Sequence, residues 1–258
     1  MTRSIAARLR VVAVAVALAG CSAGSSTSDA SVTTSATPTA ATGSSPSPAA
    51  SPTDAGPSRI PFAGEIEPGE YLVDSSLWTA VPYTLTLPAG WVAENDGRTI
   101  SKHPDEKREL SLNPFILDEI YRDTCGPGEQ PVGIGPTVDD LVTALQAQIG
   151  PAKSAPAEVD VGGQPGTRID LTVPPEIDID ACRLKGFGLQ LWLDVHGDKY
   201  QVLLTDGTIS VYMADVDASR FVLTTQLRVG SDPAEIAEMK AIVASIRFDP
   251  ALTASPRG

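Results

Sequence analysis

The feature that most limits how this chain folds is an abrupt change of composition near residue 58. From Ser22 to about Ser58 the chain consists mainly of Ser, Thr, Ala, Pro and Gly, as in Ser44-Ser45-Pro46-Ser47-Pro48. A segment with almost no large apolar side chain buries too little surface to offset its ordering entropy. We therefore interpret residues 21–58 as a disordered tether, residues 59–250 as a single domain and residues 251–258 as a disordered tail.

Ahead of the tether lies a leader in two parts. The first ten residues carry three arginines and no acid, and an apolar run follows at residues 11–19. The run is roughly half of the 20 or so residues that span a bilayer as a helix. This pattern is typical of a cleaved export signal, and Ala19 and Gly20 supply the small residues of a processing site.

The string Leu18-Ala19-Gly20-Cys21 resembles the lipobox of bacterial lipoproteins. The resemblance implies cleavage after residue 20 and a diacylglyceryl group, with palmitate among the acyl chains, on Cys21. Two acyl chains anchor a protein stably where one is marginal. We therefore expect a signal peptide at residues 1–20 and attachment to the cell membrane on its extracytoplasmic face. The alternative is an ordinary secretory signal followed by an unmodified cysteine.

Cys125 and Cys182 are the two cysteines that remain. In an exported chain such a pair predicts a disulfide, and closing a loop of about 57 residues stabilises a fold by roughly 4 kcal/mol. Two separately buried thiols are the alternative. Zinc is less favoured, because His103 and His196, the only histidines, show no ligand spacing with either cysteine.

The formal net charge of the chain is -13. Such acidity argues against nucleic acid and against an anionic membrane face as the target of the domain. A solvated acidic surface is the simpler explanation of this net charge.

Turn signals at short intervals, with alternating apolar residues between them, predict a mainly antiparallel sheet. At the C-terminal end we predict a four-stranded meander in which Asp206-Gly207 makes a type I′ hairpin turn; its strands are 186–195, 199–205, 208–215 and 220–229. Further strands are predicted at 83–87, from Trp91 onward, and at 98–102, 109–115, 158–161 and 167–173, the last two paired across a glycine-rich turn.

Two segments have helical periodicity instead. Thr137 with Asp140 three residues later predicts one N-terminus. Asp232 with Pro233 predicts the other, with Glu235 as a reciprocal capping acid. The apolar stripes expected to be buried are Val138, Leu141, Val142, Leu145 and Ile149 in the first helix, and Ile236, Met239, Ile242, Val243 and Ile246 in the second. Two amphipathic helices on a mainly antiparallel sheet define an α+β fold.

Four motifs resemble those of exported actinobacterial lipoproteins and secreted proteins of unknown function. They are Leu87-Pro88-Ala89-Gly90-Trp91, Thr137-Val138-Asp139-Asp140-Leu141, Val161-Gly162-Gly163-Gln164-Pro165-Gly166 and Ile242-Val243-Ala244-Ser245-Ile246-Arg247-Phe248. A sheet entered by a Leu-Pro-x-Gly-Trp turn and closed by a helix ending in Ser-Ile is similar to the PsbP-like fold, whose members mostly bind partners. The resemblance implies kinship and a binding role.

Few residues suggest a reaction. His103 and His196 lie in predicted loops without the context of a nucleophile, and we interpret both as exposed. Gly133 and Gly135 precede a helix, so their amides either receive an anion or only permit a turn.

Glu176, Asp178 and Asp180 alternate along a segment that we predict to be extended. Carboxylates on alternate residues point to one side and suit Ca²⁺, although a solvated acidic edge is the simpler interpretation. Asp215 and Asp217 repeat the spacing.

The leading functional hypothesis is a non-catalytic module that binds a protein partner in the cell envelope, with no catalytic residue, cofactor or metal. Trp78, if exposed, adds to a binding patch, whereas Trp91 and Trp192 are interpreted as core residues. One alternative is a hydrolase of envelope material, indicated by a deep pocket that joins an acid pair to His103 or His196. The other is a carrier of an apolar small molecule, indicated by a large hydrophobic cavity.

Overall fold

Short runs of alternating apolar residues make strands the main element of this fold. The computed structural model describes residues 56–73, 79–104, 106–126, 128, 130–194 and 200–248. Within them the strands are, in chain order, β1 (Ser58–Arg59), β2 (Gly64–Ile66), β3 (Gly69–Val73), β4 (Tyr83–Leu87), β5 (Trp91–Glu94), β6 (Thr99–Lys102), β7 (Leu110–Pro114), β8 (Glu119–Ile120), β9 (Val132–Gly133), β10 (Ala152–Lys153), β11 (Ala157–Val161), β12 (Gln164–Thr172), β13 (Leu189–Leu193), β14 (Tyr200–Leu203), β15 (Gly207–Val216) and β16 (Ser219–Arg228).

The described residues form two α-helices, α1 (Val138–Ala147) and α2 (Pro233–Ala244), and both begin where the sequence predicts. At α1, Thr137 and Asp140 form a reciprocal capping box. At α2, the Asp232 carboxylate accepts from the Ala234 N–H. The α+β class predicted from the sequence is therefore confirmed.

A nine-stranded antiparallel sheet buries residues on both of its faces. Its order is β10-β12-β15-β16-β7-β6-β5-β2, and β11 also pairs with β12. Strand β15 shows the two faces clearly, since Tyr212 and Ala214 enter one core whereas Val211 and Met213 enter the other. The sheet therefore separates two hydrophobic cores.

The first core is covered by the three-stranded sheet β1-β3-β4 and by α2. The Thr86 N–H donates to Ser245 Oγ over 2.9 Å, and Thr84 forms a backbone bridge with Arg247. The predicted stripe of α2 lies in or against this core, with its buried members being Met239, Ile242, Val243 and Ile246. The C-terminal end of the domain is thus tied to β4.

The second core lies under the four-stranded sheet β14-β13-β8-β9 and α1. Leu141 and Leu145 of α1 are buried in it, as predicted, but Ile149 is 62% exposed. The helix ends at Ala147, and the side chain of Gln148 turns inward to donate to the carbonyls of Tyr121 and Leu191. Ile149 therefore lies outside the buried stripe.

The predicted disulfide joins Cys125 to Cys182. It links the segment after β8 to the segment before β13, and Cys182 is part of the second core. The two strands that it flanks are neighbours in the four-stranded sheet. The disulfide therefore links the two segments that flank the neighbouring strands β8 and β13.

The four strands predicted at the C-terminal end all form and pair as two antiparallel hairpins, β13-β14 and β15-β16. The link between the hairpins differs from a continuous meander, because β14 and β15 belong to different sheets. Neither Asp206 nor Gly207 has a positive φ, so the predicted type I′ turn is absent there. The Asp206 carboxylate instead accepts from Arg228 over 2.8 Å, and this turn leads the chain from one sheet into the next.

The expected signal peptide, Cys21 as the expected site of lipid attachment, most of the expected tether and the C-terminal tail lie outside the described residues. The same is true of Trp78 and His196. Neither helix in the described part of the chain has the length and apolar composition needed to cross a membrane.

Candidate functional site

A groove of about 640 Å³ opens between the N-terminus of α1 and the hairpin formed by β11 and β12. We call it the acidic groove. Its lining residues are Val138, Asp139, Glu158, Val159, Asp160, Gly163, Pro165, Gly166, Thr167 and Asp215. Four of these ten carry a carboxylate and none carries a positive charge, which makes the groove attractive to cations.

The floor of the groove follows from strand alternation. Val159 and Val161 of β11 pack toward the first core, so the side chains of Glu158 and Asp160 point to the opposite face. Thr167 lies directly opposite Glu158 on β12 and also pairs with Met213 of β15. The second core ends along this face, and the sheet continues beyond it as the polar floor of the groove.

The hairpin that carries Glu158 and Asp160 turns tightly. Gly162 and Gly163 both have positive φ, of 62° and 84°, so Val161 pairs with Gln164 across a two-residue turn. The Asp160 carboxylate accepts from the Gly163 N–H over 3.0 Å. The predicted pairing of strand 158–161 with strand 167–173 is confirmed. The second of these strands, β12, begins at Gln164, three residues earlier than predicted.

One wall of the groove is the first turn of α1, and Asp215 fixes its position. Both carboxylate oxygens of Asp215 lie within hydrogen-bond distance of the Val138 N–H, at 3.2 and 3.4 Å. This amide is one of the N-terminal donors that an α-helix leaves unpaired. The carboxylate therefore satisfies the helix and still lines the groove.

Arg220 lies directly opposite Asp215 across the hairpin but is not among the residues that line the groove. Its guanidinium donates to the carbonyls of Gly135, Thr137 and Leu117, and the side chain is 5% exposed. Burial lowers the pKa of Arg220, although the charges of nearby aspartates oppose that shift. Although its donors are directed at carbonyls, the charge of Arg220 also acts on Asp215 and offsets part of that one carboxylate's charge.

His103 differs from the exposed loop residue that the sequence suggested. Its Nε2 lies 2.7 Å from Glu235 Oε1, and its Nδ1 accepts from Arg108 over 3.3 Å. Its side chain is 22% exposed. Glu235 was predicted to cap α2 reciprocally but binds this imidazole instead, and His103 is not among the residues that line the acidic groove.

Of the two glycines before α1, Gly135 has no room beside it for an anion, whereas Gly133 borders open space. The Gly135 carbonyl accepts from Arg220, and a Cβ at Gly135 would lie 2.2 Å from Asp140 Oδ2. The Ile134 N–H donates to the Asp118 carbonyl over 2.8 Å. Of the two alternatives for these glycines, the turn therefore fits the structure better than an anion site, because Asp140 and Arg220 already contact Gly135.

Glu176, Asp178 and Asp180 do not form the extended segment that we predicted. Glu176 lies in a turn, and Asp178 caps a short 3₁₀-helix, Ile179–Ala181, by accepting from the Asp180 N–H. The carboxylates therefore do not alternate along one side. Across the described residues, no group of three or more His, Cys, Asp or Glu side chains is arranged to hold a metal ion.

The tryptophans within the described residues are structural, as predicted. Trp192 is fully buried and packs edge-to-face on Phe115 with ring centroids 5.8 Å apart. Trp91 is fully buried and donates from Nε1 to Glu238 over 2.7 Å. Neither ring is available to stack on a ligand.

Comparisons with known proteins identify no family. No protein-family model matches the chain, and no curated protein matches it. One solved structure, a crystal structure from Bacteroides thetaiotaomicron, matches with a TM-score of 0.35 and 11% sequence identity. The match covers 71% of this chain and 49% of the other, so it spans about half the length of that protein.

Sequence reasoning did not find the acidic groove. The alternation of Glu158 with Asp160 in a predicted strand was one available signal, and Asp215 in another strand was a second. The strand pairing that brings these residues together beside α1 cannot be predicted from the sequence alone. Asp139 joins them only because Arg220 and Asp215 hold the start of that helix in place.

Proposed function

We propose that this chain is an extracytoplasmic lipoprotein, anchored in the cell membrane through lipid on Cys21, whose folded domain is a non-catalytic module that binds a partner in the cell envelope. The observation that carries the binding role is the acidic groove. Its open shape and its four carboxylates without a cation suit recognition of a positively charged partner better than chemistry on a buried substrate.

The disulfide supports the extracytoplasmic part of this proposal. Cys125 and Cys182 are joined, and disulfides persist mainly in oxidising compartments outside the cytoplasm. The lipobox-like string at Cys21 supports the anchor.

The binding role is tested by site-specific crosslinking in intact cells. A photoreactive phenylalanine analogue replaces Thr167, which lies on the groove floor and carries no charge. The matched control replaces Glu70, which is exposed on β3 in another sheet. We expect a crosslinked partner from position 167 only, and less of it when Glu158→Gln and Asp139→Asn remove two charges. No crosslink, or the same crosslink from both positions, contradicts the proposal.

The anchor is tested by metabolic labelling with an alkyne fatty acid. We expect the label on the wild-type chain and on a Ser22→Ala control, and its loss from Cys21→Ala. Equal labelling of wild type and Cys21→Ala contradicts a lipid on Cys21.

The two alternatives gain no specific support. A hydrolase required a pocket that joins an acid pair to a histidine, whereas His103 is bound to Glu235 beside α2. A carrier of an apolar molecule required a hydrophobic cavity, whereas the acidic groove is lined largely by carboxylates, glycines and Thr167.

A further inference from the structure

We infer that the acidic groove binds an extended basic peptide, which adds to the free edge of β11 as one more antiparallel or parallel strand. The inference rests on the proposed binding function and goes further, because it specifies the conformation of the partner, the charges of its side chains and the backbone groups that hold it.

The edge of β11 is available for pairing. Within the described residues β11 pairs only with β12, and no backbone hydrogen bond joins its other edge to another segment. Ala157, Glu158 and Asp160 are exposed. Extended peptides bind such edges through main-chain hydrogen bonds, and side-chain pockets at alternate positions set the specificity.

The register identifies which backbone groups are free. In a hairpin with a two-residue turn, the pair that flanks the turn is hydrogen-bonded, and hydrogen-bonded and open pairs then alternate. Val161 with Gln164 flanks the turn, so Val159 and Ala157 also bond to β12. The N–H and C=O groups of Glu158 and Asp160 consequently face outward, where an added strand meets them.

The same two residues place their carboxylates in the groove. A side chain directly opposite on a neighbouring strand lies about 5 Å away, and opposite charges there are favourable. An added strand therefore meets Glu158 and Asp160 at two positions that are two residues apart. Lysine or arginine at those positions, with any residue between them, satisfies the charge of the groove and the hydrogen bonds of the edge together.

The experiment compares two synthetic peptides by calorimetric titration into the full-length protein. The first is an acetylated and amidated Lys-Val-Lys-Val-Lys-Val, and the second has the same sequence with N-methyl groups on alternate backbone amides. The methyl groups preserve the charge but remove the donors. We expect the unmethylated peptide to bind at least about tenfold more tightly, because each backbone hydrogen bond contributes roughly 1 kcal/mol.

Amide hydrogen exchange provides a readout of the register. We expect the amides of Glu158 and Asp160 to exchange rapidly in the free protein and to become protected when the unmethylated peptide binds. The matched controls are the amides of Val159 and Val161, which are bonded to β12 and should be protected in both states. Glu158→Gln should lower the affinity for the peptide at least threefold without altering the protection of these control amides. Raising the ionic strength should lower the affinity further.

Equal affinity for the two peptides overturns strand addition, and so does binding without protection of Glu158 and Asp160. If neither peptide binds, the inference is also overturned. The role that then remains for these carboxylates is to discourage strand pairing at an exposed edge. The crosslink at position 167 separates this result from failure of the proposed function. A partner captured there that depends on the groove charges keeps the binding role even when the peptides fail.

Discussion

The side chain of Arg220 joins β16 to two other segments beside the acidic groove. Its guanidinium holds the carbonyls of Gly135 and Thr137 before α1 and that of Leu117 before β8. Asp118 lies 3.7 Å away and is largely exposed, so it offsets the buried charge only in part. The hydrogen bonds to carbonyls therefore account for most of what Arg220 contributes.

We expect Arg220→Met to lower the free energy of unfolding by about 3 kcal/mol, because buried carbonyls lose their donors. Urea denaturation measures the change. Arg168→Met is the control, since Arg168 is half-exposed and forms a surface ion pair with Asp170 at 3.0 Å. The control substitution should lower the free energy of unfolding by less than about 1 kcal/mol. Equal effects of the two substitutions would contradict this role of Arg220.

Glu238 provides a second prediction at the residue scale, concerning pH. Although burial alone raises the pKa of Glu238, hydrogen bonds from Lys102 and from Trp91 lower it below its ordinary value. A carboxyl group with a lower pKa in the folded protein stabilises the fold above its unfolded pKa. That contribution is lost as the pH falls through the folded pKa.

We therefore expect Glu238→Gln to reduce stability at pH 7 by up to about 1 kcal/mol, since Glu238 is partly exposed and solvent screens the pair in part. The difference from wild type should vanish in acid, below the folded pKa of Glu238. Denaturation at several pH values measures it, with exposed Glu70→Gln as the control. A difference that stays constant from pH 7 to pH 3 would show that the charge of Glu238 is not responsible.

Among the elements, the β15-β16 hairpin has an unusual turn. Asp217 and Ala218 have φ angles of 47° and 62°, and Val216 pairs directly with Ser219. Both central residues of a type I′ turn require positive φ, which costs an L-residue other than glycine roughly 1 kcal/mol. The ten residue pairs of this hairpin hold the turn in place despite that cost.

Ala218→Gly should raise the free energy of unfolding by about 1 kcal/mol, because glycine adopts positive φ without strain. The matched control is Ala157→Gly in β11, where Ala157 lies in an exposed strand and glycine should destabilise. Thermal or urea unfolding compares the two variants. The same sign for both substitutions would contradict the backbone explanation.

The elements also show how far sequence reasoning reaches in this chain. Strand β4 and both helix N-termini match their predictions, because periodicity and capping are local. Asp206-Gly207 has the dipeptide of a hairpin turn but joins two sheets, whereas Asp217-Ala218 has no glycine and makes the hairpin. Sheet membership is decided by which core each face enters, and that depends on residues far apart in the chain.

The acidic groove lies beyond local reasoning for the same reason. Glu158 and Asp160 come from one strand, Asp215 from another and Asp139 from a helix. Their strand or helix assignments were largely predictable. Their proximity depends on a register in which Thr167 lies between Glu158 and Met213. No local pattern in the sequence predicts that strand register.

At the scale of the whole molecule, the central sheet has a hydrophobic core on each face. Each core is covered by a further layer, and each layer needs contacts that fix it to the rest of the domain. The first layer includes α2, and the segment that follows this helix is joined to β4 by backbone hydrogen bonds between Arg247 and Thr84. The second includes the sheet β14-β13-β8-β9, whose strands β8 and β9 have two residues each and pair over short registers. The disulfide Cys125–Cys182 compensates for this short pairing.

We expect the double substitution Cys125→Ser with Cys182→Ser to lower the free energy of unfolding by roughly 4 kcal/mol, given the loop of 57 residues. Denaturation of the oxidised protein, of the protein with dithiothreitol and of the variant measures this. Cys21→Ala is the control and should leave the unfolding of the domain unchanged. A variant as stable as the oxidised protein would contradict the assignment.

The way in which the chain enters the domain has a mechanical consequence. Strand β1 has two exposed residues, Ser58 and Arg59, which pair in parallel with Tyr71 and Leu72 of β3. Strands β3 and β4 hold each other over five residue pairs. A pull applied from the N-terminal side of Ser58 therefore peels β1 away first. The chain then lengthens by a few residues under load, while the second core and the acidic groove keep their shape.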